Sequence, residues 1–368
     1  MDKQRCKIAL ALQGGGAHGA FTWGVLDRLL EEPDLDIIGV TGTSAGAMNA
    51  VVLADGLLRG GPEGARQRLR MFWEAIGAMP GFGSLLWPLS GSEAAAIHLE
   101  QTPPYLAWDM MARNLSPYQL NPTNQNPLRA PLDQLVDFKR LRAQKDIEVM
   151  VCATNVRTAR RRTFSNADIS ADAVLASACL PDLFPAVEIG GDAYWDGGYT
   201  GNPAVIPLLV KLPGCDLVMV RIDPVIRAEL PRTVRDIHDR VLEISFNAAS
   251  WMELAAVGML LAFVEHGLLD RERFGRFRFH VVLSSDLEKI PASSKLNNYP
   301  AFLEHLFDAG RRTAQAWCKE HGAALGKDST VNLQNLLQAN LMADFLHRQQ
   351  AEAVVKKGRA TVASRQAG

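Results

Sequence analysis

Asp36-Ile-Ile-Gly-Val-Thr-Gly-Thr-Ser-Ala-Gly46 is the stretch from which the fold is read. Ile37, Ile38 and Val40 predict a buried strand, and Gly42-Thr43-Ser44-Ala45-Gly46 matches G-x-S-x-G. Ala45 to Leu58 then predicts a helix, closed by the turn-prone Asp55-Gly56 and Arg59-Gly60-Gly61 region. A serine on a tight strand-to-helix turn is pushed outward, with its hydroxyl exposed and a helix N-terminus behind it. Glycines flank such a turn because a Cβ at either position would collide with the neighbouring strand or helix. The arrangement suits a nucleophile.

Working toward the N-terminus, Lys7 to Leu12 is a short apolar run that predicts the first strand. It empties into Gln13-Gly-Gly-Gly-Ala-His-Gly19, after which Ala20 to Glu32 predicts an amphipathic helix ending before Pro33. Strand, glycine loop, helix and strand make a β-α-β unit with parallel pairing. The loop has two chemical readings. Gly14, Gly16 and Gly19 satisfy G-x-G-x-x-G, which would hold a dinucleotide pyrophosphate. That fold wants an acidic residue at the C-terminal end of the second strand, where this chain has Thr41-Gly42-Thr43-Ser44. In the other reading both loops emerge at one sheet edge, and the amides of Gly14, Gly15 and Gly16 form an oxyanion hole for an acyl carbonyl attacked by Ser44.

Composition bounds the function classes. The chain has 368 residues, 48% hydrophobic and 21% charged, with a net charge of -1. That balance gives no general attraction to nucleic acid, so no nucleic-acid partner is expected. The five cysteines are scattered, with no Cys-x-x-Cys pair, which argues against a zinc site or disulfide framework. No signal-peptide pattern opens the chain, and the apolar run Leu254 to Leu269 is broken by Glu265 and His266. A cytoplasmic protein with at most peripheral membrane contact is expected.

Further along, Glu63 to Ala78 predicts a helix, and Met79 to Gly91 is a loop rich in large apolar residues, glycine and proline. It reads either as part of a lid spanning 79–131 or as a loop folded onto the core. Leu132 to Leu141 predicts a helix, Ile147 to Thr154 a strand, and Arg162 to Phe164 an edge or hairpin. Ala186 to Ile189 and Tyr194-Trp195 predict a hairpin about Gly190-Gly191, delivering Asp196-Gly197-Gly198 to a loop. An aspartate before two glycines is ordinarily a turn residue. A serine nucleophile, however, needs a proton acceptor, and of eight histidines only His18 lies in a glycine-flanked strand-end loop. A partly desolvated carboxylate can serve instead. Asp216 to Ile222 and Phe277 to Leu283 predict strands, with helices over Thr233 to Leu269, Tyr299 to Lys319 and Val331 to Arg348.

Gly14-Gly-Gly-Ala-His-Gly19, Gly42-Thr-Ser-Ala-Gly46 and Asp196-Gly-Gly198, in this order, resemble the three signatures of the patatin-like phospholipase family. The resemblance runs from about Lys7 to Pro203. It implies a three-layer α/β/α fold with a mainly parallel central sheet, here with a helical C-terminal extension. It implies Ser44 as nucleophile, Asp196 as general base, Gly14 to Gly16 as the oxyanion loop, and no cofactor or metal. The substrate would be a lipid acyl ester, most simply a phospholipid. Alternatives are an esterase or thioesterase of other acyl substrates and a dinucleotide-binding protein using Gly14 to Gly19. The expected organisation is a catalytic core over 1–224, a C-terminal region over 225–350 packed on it, and a basic tail over 351–368. One departure stands out. The family often carries arginine or lysine where this chain has His18, and histidine is only partly charged at neutral pH.

Overall fold

The computed structural model describes residues 5–79, 102–225, 227, 229–270, 277–331 and 333. Residues 80–101, which hold most of the apolar loop read as part of a lid, lie outside the described residues, as do the tail and nearly all of the helix predicted over 331–348.

The apolar runs become strands β1 Cys6–Leu12, β2 Leu35–Gly42, β3 Glu148–Asn155, β4 Arg161–Ser165, β5 Val187–Ile189, β6 Asp192–Asp196, β7 Asp216–Val220 and β8 Arg278–Val282. They form one sheet in the order β5-β6-β3-β2-β1-β7-β8, with β4 paired to β3. The centre is parallel: β1 pairs with β2 and β7, β2 with β3, and β7 with β8. The β5–β6 hairpin and β4 add the antiparallel edge.

Alternation along β1 sorts the two faces, because successive side chains of a strand point to opposite sides. Ile8, Leu10 and Leu12 enter one core, whereas Ala9 and Ala11 enter the other. The first core is covered by α1 Gly19–Leu29, α2 Ala45–Ala78 and α9 Pro300–His321. The second is covered by α7 Ile206–Lys211 and α8 Val234–Glu265. Helix α3 is Pro103–Asn114, α4 Arg129–Leu135, α5 Phe138–Ala143 and α6 Ala171–Ser177. The molecule is a three-layer α/β/α structure about a mainly parallel sheet.

The two helices predicted either side of Gly60-Gly61 are found, counted together as α2 but separated by a kink at Gly60 and Gly61, with Gly61 at φ 60 and Pro62 following. Two local departures from the sequence reading have clear causes. The glycine loop tightens into a single 3-10 turn, Gly16–His18, before α1 begins. The helix predicted over Leu132 to Leu141 is split into α4 and α5, the second capped by Asp137, whose side chain accepts from Arg140 N–H.

Helix α8 is, among the described residues, the one long and apolar enough to cross a membrane, and 39% of that window is buried. Its inward face carries buried Glu243, Asn247, Ser250 and Glu253 beside Leu254 and Val257. Glu243 pairs with Arg227, and Glu253 pairs with Arg161 while accepting the Val205 and Ile206 N–H groups. Buried, paired carboxylates on the sheet-facing side mark a core helix, since each would be costly in hydrocarbon.

Candidate active site

Ser44 stands between β2 and α2 with φ 55 and ψ -124, a backbone conformation that side-chain-bearing residues rarely adopt. The corner is forced by close packing. A Cβ on Gly42 would lie 2.2 Å from the Gly46 carbonyl oxygen, and one on Gly46 would lie 2.2 Å from that of Leu12. Both flanking glycines therefore face backbone, as the collision argument requires. The Ser44 N–H donates to Ser177 Oγ at 2.9 Å, which anchors the turn from α6.

Asp196 ends β6 and reaches the same place from the antiparallel side of the sheet. Its N–H donates to the Cys179 carbonyl at 2.8 Å, and its carbonyl accepts from Thr154 Oγ1 at 2.8 Å. A Cβ on Gly197 would sit 2.1 Å from the Cys152 carbonyl oxygen, so glycine is required where the loop turns over β3. Thr43 Oγ1 donates to Gly201 O at 2.6 Å and Thr41 Oγ1 to Ala204 O at 2.9 Å, stitching the serine strand to the loop that follows Asp196. Two segments about 150 residues apart in sequence are thereby brought to one cavity, in which Ser44 and Asp196 both take part.

The Asp196 carboxyl is fully buried. Oδ1 accepts from Gly198 N–H at 2.7 Å, whereas Oδ2 has no hydrogen-bond partner among the described residues. Burial pushes its pKa up to about 7, against which the Gly198 N–H and the nearby Ser44 hydroxyl act. The Ser44 hydroxyl is thus close enough to bear on the carboxyl. An acid held near neutrality beside a serine can take up a proton at physiological pH.

The glycine loop runs along the opposite wall, and its amides are not equivalent. Gly14 N–H donates to Asn202 Oδ1 at 2.8 Å. Gly15 and Gly16 line the cavity, and neither N–H donates to any described residue. The cavity, ≈ 390 Å³, is otherwise walled mainly by apolar side chains, among them Met48, Phe72, Trp73, Ile76, Trp108 and Phe246. Such a lining accepts a hydrocarbon chain and excludes water from the serine.

His18 is not a partial cation. It is fully buried, and burial, together with the charges of Lys295 and Arg227, pushes its pKa down to about 3. Ser294 Oγ donates to the Pro291 carbonyl at 2.6 Å, so at its 2.7 Å contact with His18 it accepts, and the imidazole proton sits on Nε2. The ring is a neutral group held against Ser294. Among the described residues no cluster of His, Cys, Asp or Glu is arranged to hold a metal ion.

Four contributors to the site escaped the sequence reading: Ser177, Asn202, Asp223 and Lys295. Asp223 carried a usable signal, since it directly follows a strong strand and so falls at the carboxyl edge of the sheet. Lys295 carried none; it lies in a 3-10 turn, Ala292–Leu296, whose arrival at the glycine loop is purely tertiary.

Comparison with known proteins agrees with this geometry at the level of family. No curated protein matches the sequence. Among solved structures, VipD from Legionella pneumophila is 15% identical over 84% of this chain and 67% of its own, with a TM-score of 0.32. ExoU, in its complex with SpcU from the type III secretion system of Pseudomonas aeruginosa, is 16% identical over 85% of this chain and 53% of its own, with a TM-score of 0.30. This chain thus spans about half the length of ExoU, and likenesses so distant carry no functional argument. A family model, Patatin-like phospholipase, matches residues 10–209, a span that takes in the glycine loop, the Ser44 turn and Asp196. With more than half of its length matched, the chain belongs to the patatin-like phospholipase family.

Proposed function

We propose that the protein is a serine lipid acyl hydrolase, phospholipase A-like, that works through a Ser44–Asp196 dyad and an acyl-enzyme. The observation that carries this reading is a buried carboxyl with pKa about 7 beside a serine on a strained turn, both opening on an apolar cavity. Asp196 accepts the Ser44 proton as Oγ attacks the ester carbonyl. The oxyanion forms toward Gly15 and Gly16 N–H, aided by the positive end of α2. The alcohol leaves with the proton from Asp196. Water then gives a proton to the same carboxylate and attacks the acyl-serine, and Asp196 passes that proton to Ser44 Oγ as the acyl–oxygen bond breaks and the fatty acid leaves.

Phospholipid as the ester is the family's implication and fits an apolar acyl pocket; cytoplasmic location with peripheral membrane contact belongs to the same proposal. An esterase or thioesterase of soluble acyl groups would use the same machinery, and turnover of short-chain esters against phospholipid vesicles separates the two. A dinucleotide-binding protein would instead be thermally stabilised by a dinucleotide and remain unlabelled by serine-directed phosphonates. The deciding experiment is mass spectrometry after fluorophosphonate treatment. Native protein is expected to carry one adduct on Ser44, and Ser44→Ala none; an adduct that persists in Ser44→Ala removes the nucleophile assignment.

A further inference from the structure

The matched family span ends at residue 209, yet the glycine loop is held from outside it. The 3-10 turn Ala292–Leu296 lies directly on the loop: a Cβ on Gly16, whose φ is +57, would lie 2.3 Å from the Lys295 carbonyl oxygen. From this turn the Lys295 ammonium reaches Asp223 Oδ1 at 2.6 Å. Asp223 Oδ2 accepts from Asn202 Nδ2 at 3.2 Å, and Asn202 Oδ1 accepts from Gly14 N–H at 2.8 Å. Gln13 Oε1 closes the other side by accepting the Ile222 and Asp223 N–H groups at 2.8 and 2.9 Å. Lys295 also lines the cavity that holds Ser44 and Asp196.

We propose that Lys295 is a positioning residue of the hydrolysis, which fixes the oxyanion loop through Asp223, Asn202 and Gly14 and brings a fixed positive charge to that side of the cavity. The inference rests on the acyl-hydrolase reading. His18 cannot provide that charge, being buried and neutral. Without the lysine, the buried Asp223 carboxylate keeps the Asn202 Nδ2 donor and the charge of Arg221 but loses its ion-pair partner, and negative charge would gather beside the loop where an oxyanion must form. The effect extends to the base. Besides Ser44 and the Gly198 N–H, Asp196 feels the negative charge of Asp223, which raises its pKa, and the positive charge of Lys295, which lowers it. Cys152, Cys179 and Tyr199, the other titratable groups around it, are pushed up by burial and stay neutral.

The test compares Lys295→Met, Lys295→Arg and the double variant Lys295→Met/Asp223→Asn with native protein. It uses a soluble p-nitrophenyl ester, fluorophosphonate labelling of Ser44 and thermal melting. Lys295→Met is expected to lose kcat about 10-fold or more with KM little changed, and to shift the acidic limb of its pH profile upward. Lys295→Arg should recover most of the rate. The double variant removes the unpaired carboxylate, so its melting temperature and pH limb should return toward native while kcat stays low. If kcat recovers along with stability in the double variant, or never falls in Lys295→Met, the positioning role is overturned. Failure of native protein to label at Ser44 would instead count against the hydrolase reading itself.

Discussion

At the residue scale, the properties of Asp196 follow from where it is buried. Taking a carboxylate out of water disfavours its charged form, and one N–H donor on Oδ1 only partly offsets that loss. As general base it must be ionised, so kcat/KM for a soluble ester is expected to rise with pH and level off above an apparent pKa of about 7. A limb near the ordinary carboxylate value would show that some other group takes the proton. The same burial predicts a stability effect of opposite sign to a salt-bridged aspartate. Its folded pKa lies above its unfolded one, so between about 4 and 7 the folded state binds more protons and stability falls as pH rises. Asp196→Asn keeps the Gly198 N–H bond and abolishes the charge. It is expected to be inactive yet to melt higher than native protein at pH 8, by an amount on the order of a few kcal/mol that shrinks as pH falls toward 4. Calorimetry of both proteins across that range checks it; a pH-independent difference would mean the carboxyl is not desolvated.

At the element scale, the decisive contact is backbone against backbone, where the start of α2 crosses the end of β1. Gly46→Ala puts a methyl group 2.2 Å from the Leu12 carbonyl, which no rotamer change can relieve. The turn must move, and with it Ser44. The variant is expected to lose activity by more than tenfold and about 1–3 kcal/mol of stability, read from hydrolysis and chemical denaturation. Native-like activity would mean the crossing is looser than it stands. Contacts of this kind explain what was legible beforehand. Gly42, Gly46 and Gly197 each sit against backbone, so their spacing along the chain reports the local geometry directly. The alternating or continuous apolar runs of β1, β2, β3 and β7 were legible for the same reason, since local pattern sets which face is buried. Gly24 and Gly310 were silent. In a helical stretch a glycine reads as a small defect, yet a Cβ on Gly24 would lie 2.0 Å from the Phe307 carbonyl and one on Gly310 2.1 Å from that of Phe21. They let α1 and α9 touch along their backbones, a pairing no local pattern encodes. Asn202 and Lys295 were silent likewise, because their partners are distant in sequence.

At the scale of the whole molecule, the segments beyond residue 225 are built into the layers that carry the site. Strand β8 pairs in parallel with β7, in register from Asp216–Arg278 to Val220–Val282. Its His280 meets Asp216 at 3.1 Å, and Arg278 pairs with that same buried carboxylate. Helix α9 covers α1: Phe307 lies 4.0 Å, ring centre to ring centre, from Trp23, and Arg311 joins Arg66 on Asp27. Phe302, Leu303, Leu306, Phe307 and Trp317 are all buried in the α1–α2 core. At roughly 1.5–3 kcal/mol for each such side chain, their burial contributes on the order of 10 kcal/mol. That is comparable to the whole net stability of a typical domain, about 5–15 kcal/mol. A chain cut after Pro224 would also expose the apolar edge of β7 and leave Asp216 buried without its His280 and Arg278 partners. It is expected to accumulate as insoluble or molten protein with no fluorophosphonate labelling, although it retains Ser44, Asp196 and the glycine loop. Adding residues 225–368 back as a separate chain should restore labelling only if the two pieces associate. A soluble 1–224 fragment that melts cooperatively and labels at Ser44 would show that the site needs only the first five-eighths or so of the chain, and that the C-terminal layers are an accessory to it.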